Sequence, residues 1–243
     1  MKRFVKALAA VMLMTMMVFA VGCKPDEEPN DNGGGNGNNN TVTHEYVDLG
    51  LPSGTLWATC NVGATTPEGY GDYFAWGETE TKSAYNWSTY KYAKGTSWDD
   101  PQLTKYCGER IFGYNCFVDT LVVLQPSDDA ARVIWGSSWI IPTKEQWEEL
   151  YQNTTNTWTT QNGVNGRSFT ASNGNSLFLP ASGGRGDDEL YELGWSGCYW
   201  SSSLCTAFPS RAWCFFFDPE RYYMYYYYVR PNGMSVRAVR SAK

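Results

Sequence analysis

The sequence has little of what metal sites and acid–base catalysis are usually built from. Of its 243 residues only one, His44, is a histidine, and no two of its seven cysteines form a Cys-x-x-Cys pair. Structural zinc sites combine cysteine and histidine at such short spacings. The sequence therefore argues against a zinc site, and we expect no metal and no cofactor. We interpret His44 as a solvent-facing or turn residue.

Positive charge is also scarce. The chain has 19 lysines and arginines against 25 aspartates and glutamates, and its net charge at pH 7 is −6. Recognition of a phosphate backbone or of an anionic membrane surface by charge needs the opposite balance. This excludes nucleic acid as an expected partner. Any contact with a membrane should then depend on a lipid anchor.

Long hydrophobic runs are missing except at the N-terminus. Residues 1–22 begin with basic residues and continue as an uncharged apolar run from Ala7 to Gly22, which is too short for a membrane span and typical of a signal peptide. The run ends in "FAVGC", which resembles the lipobox of bacterial lipoproteins, so Cys23 is predicted to be lipidated. An ordinary cleaved signal followed by an incidental cysteine is the alternative.

The residues after Cys23 are polar. The stretch "KPDEEP" (Lys24–Pro29) resembles the acidic tag that directs Bacteroidota-type lipoproteins to the surface of the outer membrane, although a solvated linker would also be acidic. The stretch from Asn30 to Asn40 has no apolar residue and can bury nothing, as in a flexible tether. We therefore predict a tether over residues 23–43 and one folded domain over residues 44–243.

Within that domain, short strands are punctuated by turns. Tyr46–Gly77 contains several short apolar stretches separated by glycine and proline. Tyr85–Asp100 is aromatic and polar without a clear period, and we predict a long surface loop there. Asn173-Gly174 lies between two alternating segments and predicts a hairpin.

Two short helices are predicted between these strands. The first has Ser127 as its expected N-cap. The second starts at Thr143 with Gln146 three residues on, a capping box, and should bury Trp147, Leu150 and Tyr151 on one face. Many short strands with two short helices predict an α+β domain.

Seven motifs, in order, resemble the Fibrobacter succinogenes major paralogous domain: "YVDLGLPSGTLWATCNVGA", "DYFAWGE", "SSWIIPTKEQWEEL", "TTQNGVNG", "GNSLFLPASG", "YWSSS" and "SVRAVR". The resemblance covers Tyr46 to Arg240. That family is similar to the C-type-lectin-like group that includes the formylglycine-generating enzymes and the variable proteins of diversity-generating retroelements. It implies a single C-type-lectin-like domain whose C-terminal strands and loops form the ligand face. Two motifs depart from the family: "RAVR" replaces the usual "RPVR", and "SSWIIP" lacks an arginine found in relatives.

Catalysis is not expected. A formylglycine-generating enzyme would need a close cysteine pair, and the spacing of Cys198, Cys205 and Cys214 does not match one. A calcium-dependent sugar site would need clustered oxygen ligands, which the sequence does not show. An oxidoreductase of the formylglycine-generating type and a structural lipoprotein without a specific ligand are the alternatives. Disulfide formation is left open for the cysteines after the anchor: Cys60, Cys107, Cys116, Cys198, Cys205 and Cys214.

The aromatic segment "CFFFDPERYYMYYYYVRPNG" (Cys214–Gly233) is predicted to be a hairpin that turns at Asp218–Arg221. Strict alternation puts one set of side chains on the core: Trp213, Phe215, Phe217, Met224 and Tyr226. It puts another set on the outer face: Cys214, Phe216, Tyr223, Tyr225 and Tyr227. Tyrosine offers a large contact area with few rotatable bonds, so the outer face is predicted to bind an unidentified protein or glycan.

Every non-motif residue in region 198–232 that we assign to this face has a residue type that is reached from an asparagine codon by changing adenines alone. This resembles the adenine-directed diversification of retroelement variable proteins, with a non-diversified adhesin as the alternative. We expect the protein to be a monomer. The predicted ligand-binding residues are Cys198, Cys205, Phe208, Ser210, Arg211, Cys214, Phe216, Arg221, Tyr222, Tyr223, Tyr225, Tyr227, Tyr228 and Asn232.

Overall fold

The computed structural model describes residues 43–97 and 100–242, apart from the side chains of Met224 and Tyr225. The predicted signal peptide (residues 1–22), the predicted lipidation site Cys23 and all but the last residue of the predicted tether lie outside the described residues. No helix within the described ranges has the length and apolar character needed to cross a membrane.

Most of the regular structure is β-sheet, with two short α-helices, α1 (Ala130–Trp135) and α2 (Lys144–Gln152). This content confirms the prediction of short strands with two short helices, and it fits an α+β or a mainly β domain. The strands are β1 (Tyr46–Asp48), β2 (Thr55–Asn61), β3 (Tyr73–Phe74), β4 (Thr154–Gln161), β5 (Val164–Ala171), β6 (Ser176–Pro180), β7 (Gly184–Gly186), β8 (Glu189–Tyr191), β9 (Gly197–Leu204), β10 (Arg211–Phe217), β11 (Tyr222–Val229), β12 (Met234–Ser235) and β13 (Arg237–Ser241).

The described strands form four sheets. The largest has the order β11-β10-β9-β12-β3, in which β12 runs parallel to β9 and the other neighbours are antiparallel. Strands from the two ends of the domain meet in a second sheet, β1-β2-β13. The remaining sheets are β4-β5-β6 and the pair β7-β8. In the largest sheet β11 is an edge strand, so its outer side is not paired with another strand of the sheet.

The middle of strands β9 and β10 packs between two apolar layers, one on each face. On one face, Tyr199 and Phe215 pack with Trp147 of α2, whose ring is stacked on Phe215 at a centroid distance of 5.0 Å. On the other face, Trp200 and Cys214 belong to a second core. Phe215 and Phe217 of β10 belong to the first core, and Phe216 packs half-buried against the second.

The prediction of a surface loop at Tyr85–Asp100 is wrong for the aromatic residues in its first half. The segment lacks regular strands, but its rings lie in the second core and their hydroxyl groups are satisfied inside the protein. The Tyr90 hydroxyl, for example, donates a hydrogen bond to the backbone oxygen of Trp76 (2.7 Å). The buried aromatic residues of this loop are Tyr85, Trp87, Tyr90 and Tyr92.

Both helices form where expected, but one of them begins later. At α2, the Thr143 side chain accepts from the amide of Gln146 and the Gln146 side chain accepts from the amide of Thr143, which confirms the capping box. At α1 the N-cap is Asp129, which accepts from the amide of Arg132 (3.0 Å). The predicted cap, Ser127, lies instead in a preceding turn of 3-10 helix.

The hairpin predicted at Asn173-Gly174 joins β5 and β6. Gly174 has a φ of +86°, a left-handed conformation that glycine adopts without steric cost. The side-chain amides of Asn173 and Asn175 donate to the backbone oxygen of Asp48 at 3.0 and 2.7 Å. These bonds fix the hairpin to the end of β1.

Candidate ligand-binding face

The predicted aromatic hairpin is present as β10 and β11, joined by the turn at Asp218–Arg221. The amide of Asp218 donates to the oxygen of Arg221 (2.8 Å). One carboxylate oxygen of Asp218 accepts from the amides of Glu220 (2.8 Å) and Arg221 (2.6 Å). An aspartate that binds the amides of the next residues stabilises a tight turn, and this turn holds the two strands in register.

A β-bulge in the hairpin changes which side chains share a face. Cys214 is opposite Tyr226, whereas Phe216 is opposite Tyr223. The pairing thus advances two residues along β10 and three along β11, so β11 carries one extra residue. An extra residue reverses the alternation beyond it. The predicted positions of Tyr226 on the core side and of Tyr227 beside Cys214 are therefore wrong.

Four rings lie side by side on one face of the hairpin and its edge. We call this set the aromatic face: Phe216, Tyr223, Tyr226 and Tyr228. The ring centroids of Phe216 and Tyr226 are 5.2 Å apart, and those of Tyr226 and Tyr228 are 6.0 Å apart. Tyr223 and Tyr226 are 41% and 37% exposed, so the face opens to solvent along β11.

Beyond the bulge, basic side chains contact aromatic rings on the opposite face of the hairpin. We call this set the cationic rim: Phe208, Arg211, Trp213, Tyr227 and Lys144. The Arg211 guanidinium lies 5.3 Å from the Tyr227 ring centroid and 5.7 Å from that of Phe208. The Lys144 ammonium lies 4.6 Å from the centroid of Trp213. Cation–π contacts of this kind hold long basic side chains in place at a surface.

At the turn end of β11, Tyr222 is tied to helix α2. The Tyr151 hydroxyl donates to the Tyr222 hydroxyl (2.8 Å), and the two ring centroids are 4.8 Å apart. The Arg167 guanidinium lies 5.2 Å from the Tyr222 ring. The hydrogen bond with Tyr222 raises the pKa of Tyr151. These contacts anchor the turn end of the edge strand to the scaffold.

A shallow, open cavity of about 250 Å³ lies at the other end of β11. At its base the Asn232 side-chain amide donates to the Tyr191 hydroxyl (3.0 Å), while the Asn232 side-chain oxygen is buried and has no hydrogen-bond partner among the described residues. Burial raises the pKa of Tyr228, against the effect of its hydrogen bond with Tyr191. The cavity is lined by Arg211, Tyr226, Tyr227, Tyr228, Val229 and Asn232.

The predicted ligand-binding residues fall into three groups by burial. One group is buried, although surface positions were expected for its members: Cys198, Cys205, Cys214 and Asn232. Another is half-buried: Ser210, Phe216, Tyr227 and Tyr228. The exposed group is Phe208, Arg211, Arg221, Tyr222 and Tyr223. Cys198 and Cys214 are buried because they lie on the side of β9 and β10 that packs in the second core, and Cys205 is buried in the loop that follows β9. The side chain of Tyr225 lies outside the described residues.

Sequence reasoning missed several residues that help to form this surface. Alternation predicts both Tyr226 and Trp213 on the core side. The bulge, which a run of tyrosines does not reveal, moves Tyr226 to the other face, and Trp213 keeps its face but is only half-buried. Tyr191 reaches the cavity from β8, and Lys144 reaches Trp213 from the first turn of α2. Neither has a nearby sequence signal, since both come from elements distant in the chain.

The cysteines in the described ranges are all free thiols. Cys198 and Cys214 are diagonal neighbours on β9 and β10, since Cys198 is opposite Phe216 and Cys214 is opposite Trp200. Burial and a hydrogen bond with Cys198 raise the pKa of the Cys214 thiol well above its usual range, and burial raises that of Cys205. Because the thiolate is the reactive form of cysteine, these shifts keep both groups protonated and unreactive.

No group of three or more His, Cys, Asp or Glu side chains is arranged to hold a metal ion in the part of the chain that the structure describes. The ring of His44 is stacked on that of Trp135 at a centroid distance of 3.9 Å, and it also contacts Trp139 edge to face. The predicted turn or solvent residue is thus half-buried against two tryptophans.

Comparison of the chain with models of protein families, with curated proteins and with solved structures finds no match.

Proposed function

We propose that this chain is a cell-surface lipoprotein that binds a protein or glycan ligand through the aromatic face, the cationic rim and the cavity next to them. The observation that carries the proposal is the row of four partly exposed rings at the edge of the largest sheet. Soluble monomers rarely leave contiguous apolar surface exposed without a binding role. Tyrosine suits such a role because its hydroxyl tolerates water.

The fold we propose is C-type-lectin-like. Five tryptophans from the motifs that resemble the Fibrobacter succinogenes major paralogous domain are almost fully buried, as expected of scaffold residues: Trp57, Trp76, Trp139, Trp147 and Trp200. Strands from the two ends of the domain pair in the sheet β1-β2-β13. The aromatic hairpin then lies at a sheet edge near the C-terminus, where the resemblance expects the ligand face.

Diversification by a retroelement is part of this proposal. Five of the positions predicted to vary are exposed and lie on or beside one hairpin: Phe208, Arg211, Arg221, Tyr222 and Tyr223. Exposed side chains on a strand can be exchanged without repacking the core on the other side. This arrangement supports a rigid scaffold that presents a variable surface.

Display outside the cell rests on the sequence of the first residues. Lipidation at Cys23, followed by an acidic stretch and a tether rich in Asn and Gly, would hold the domain away from the outer membrane. Cells that express Cys23→Ser should release the protein from the membrane fraction and should incorporate no labelled fatty acid into it. Equal labelling of the variant and the wild type would contradict anchoring at this residue.

The oxidoreductase alternative finds less support in the described residues. A catalytic cysteine needs access and a lowered pKa, whereas Cys198, Cys205 and Cys214 are buried. The pKa values of Cys205 and Cys214 are raised. We therefore propose a binding protein rather than an enzyme. A binding experiment distinguishes such a binding protein from a purely structural lipoprotein.

That experiment compares the full chain with a variant carrying both Tyr223→Ser and Tyr226→Ser on arrays of glycans and of extracellular proteins. We expect the wild type to bind a defined ligand and the variant to lose that binding while its melting temperature changes little. A matched control is Tyr114→Ser, which alters a tyrosine that is 43% exposed and lies away from the hairpin. Unchanged binding by the double variant, or no ligand at all for the wild type, would refute the proposed role of this surface.

A further inference from the structure

Arg211 stands out among the charged groups around the cavity. It is exposed and held against two rings, Phe208 and Tyr227. No acidic side chain in the described ranges forms an ion pair with it, although the whole chain is acidic. An arginine with a fixed guanidinium and no acidic partner is suited to bind a carboxylate through paired hydrogen bonds.

The cavity beside Arg211 has the size and lining for a single sugar ring. Its volume is about 250 Å³, and its walls include the rings of Tyr226, Tyr227 and Tyr228. The hydroxyl groups of these tyrosines can both donate to and accept from a ligand. Sugars offer an apolar ring face for stacking together with hydroxyl groups for such bonds.

The main competing ligand is an extended peptide that would pair with the edge of β11, and the bulge disfavours such pairing. Peptides that add to a sheet edge need a regular row of free backbone groups. The extra residue between Tyr223 and Tyr226 interrupts that row, and bulges are a common device by which proteins protect sheet edges. Only the short stretch Tyr226–Val229 remains regular on the cavity side.

We infer that the cavity binds an acidic sugar, a uronic acid unit of a glycan, with the carboxylate on Arg211 and the ring against the tyrosines. This inference rests on the proposed function and gives its ligand a chemical class. The described residues form no cluster of metal ligands, and binding should therefore persist in the presence of a chelator.

The test is calorimetric titration of the full chain, purified in mild detergent with EDTA, with tetragalacturonate and with the neutral sugar cellotetraose. We expect the acidic sugar to bind about tenfold or more tightly than the neutral one, since one charged hydrogen-bonded pair is commonly worth that ratio. Arg211→Gln should abolish the preference for the acidic sugar, whereas Arg211→Lys should retain part of it.

Arg110→Gln is the matched control, because Arg110 is also exposed and lies in a turn of 3-10 helix outside the hairpin. It should bind like the wild type. Equal affinity for the two sugars, or an equal loss in both arginine variants, would overturn the inference. If no sugar binds but a protein ligand is lost in the Tyr223→Ser and Tyr226→Ser variant, the glycan inference fails and the proposed binding surface stands.

Discussion

Phe215 and Tyr223 lie on the same hairpin but should contribute to stability very differently. Phe215 is 1% exposed and stacked on Trp147, whereas Tyr223 packs beside the rings of Phe216 and Tyr226 and is open to solvent. Truncation of a buried aromatic leaves a cavity and costs about 3–5 kcal/mol. Removal of an exposed side chain usually costs less than about 1 kcal/mol.

Phe215→Ala should therefore lower the urea midpoint strongly, and Tyr223→Ala should change it little, at an unchanged slope of unfolding free energy against urea. Comparison of the two variants thus distinguishes a scaffold residue from a surface residue. Similar losses in the two variants would mean that the aromatic face is part of the core, which would contradict its role in binding.

Asp128 makes the stability of the domain depend on pH. Burial raises the pKa of its carboxyl group, but hydrogen bonds from Lys105, Tyr106 and Tyr92 outweigh this and leave the pKa below its ordinary value. A lowered carboxyl pKa means that the stabilisation is complete above the unfolded value of about 3.9, and that it is lost as the pH falls through the folded value.

Asp128→Asn should thus cost roughly 1–3 kcal/mol at pH 7, the usual cost of leaving buried partners unsatisfied. The difference from the wild type should shrink below about pH 4. Urea unfolding at pH 7 and at pH 3 measures both values. Burial raises the pKa of the neighbouring Asp129. Because this residue is present in both proteins, its contribution cancels when their unfolding free energies are subtracted. A difference that stays constant with pH would show that this carboxylate is not stabilised as described.

At the scale of elements, the packing of β9 against β10 depends on a glycine. Gly197 is opposite Phe217, and a Cβ atom at this position would lie 2.2 Å from the Phe217 ring. That ring is packed against Tyr199 in a fully buried core, and it cannot move away without disturbing its neighbours. Close-packed cores resist added volume at a cost of about 1–3 kcal/mol.

Gly197→Ala should accordingly destabilise the domain by about that amount. Gly108→Ala is a suitable control because a Cβ atom there would meet nothing within 4 Å, and its effect should be within about 0.5 kcal/mol. Thermal unfolding of the two variants tests the close approach of the strands. If both alanines are tolerated equally, the packing of β9 against Phe217 is looser than described.

Several elements could be predicted because their signals are local. The capping box at Thr143 and Gln146 and the turn at Asp218–Arg221 depend on residues within four positions of each other, and both are present. The bulge in β11 could not be predicted, since register is specified by alternation of polar and apolar residues. A run of tyrosines has no such alternation.

The missed burial of the loop that starts at Tyr85 has a different cause. Its aromatic residues follow neither the period of a helix nor that of a strand, and they are buried by contacts with distant residues. Arg230, 140 positions from Tyr90 in the chain, donates to the Tyr90 hydroxyl at 2.8 Å. Contacts at such separation leave no trace in the local pattern. The candidate site shows the same limit, because Lys144 and Tyr191 reach it from separate elements.

At the scale of the whole molecule, the arrangement separates residues that must stay constant from residues that can vary. The scaffold tryptophans are buried and tightly packed. The exposed rings and arginines of the hairpin are concentrated at one edge of the largest sheet. If a retroelement diversifies the protein, related genes should differ at the edge and agree in the scaffold.

The structure makes this prediction more specific than the sequence does. Exposed positions such as Phe208, Arg211 and Tyr223 should vary widely in size and charge, because substitutions there change the stability of the domain little. The buried Cys198 and Cys214 should vary only among small residues, because larger ones would overpack the core. Variation should therefore be graded by burial within the same segment.

Sequencing the gene and its surroundings in sibling isolates tests this prediction. We expect the codons at the predicted positions to end in T or C. A near-copy of the segment should lie close by with AAC or AAT at those positions, beside a reverse transcriptase gene. Differences that are spread evenly over the chain, or the lack of any template copy, would contradict diversification. The aromatic face would then be a fixed binding surface, because its exposure follows from the bulge and the edge position of β11 whatever the source of its residues.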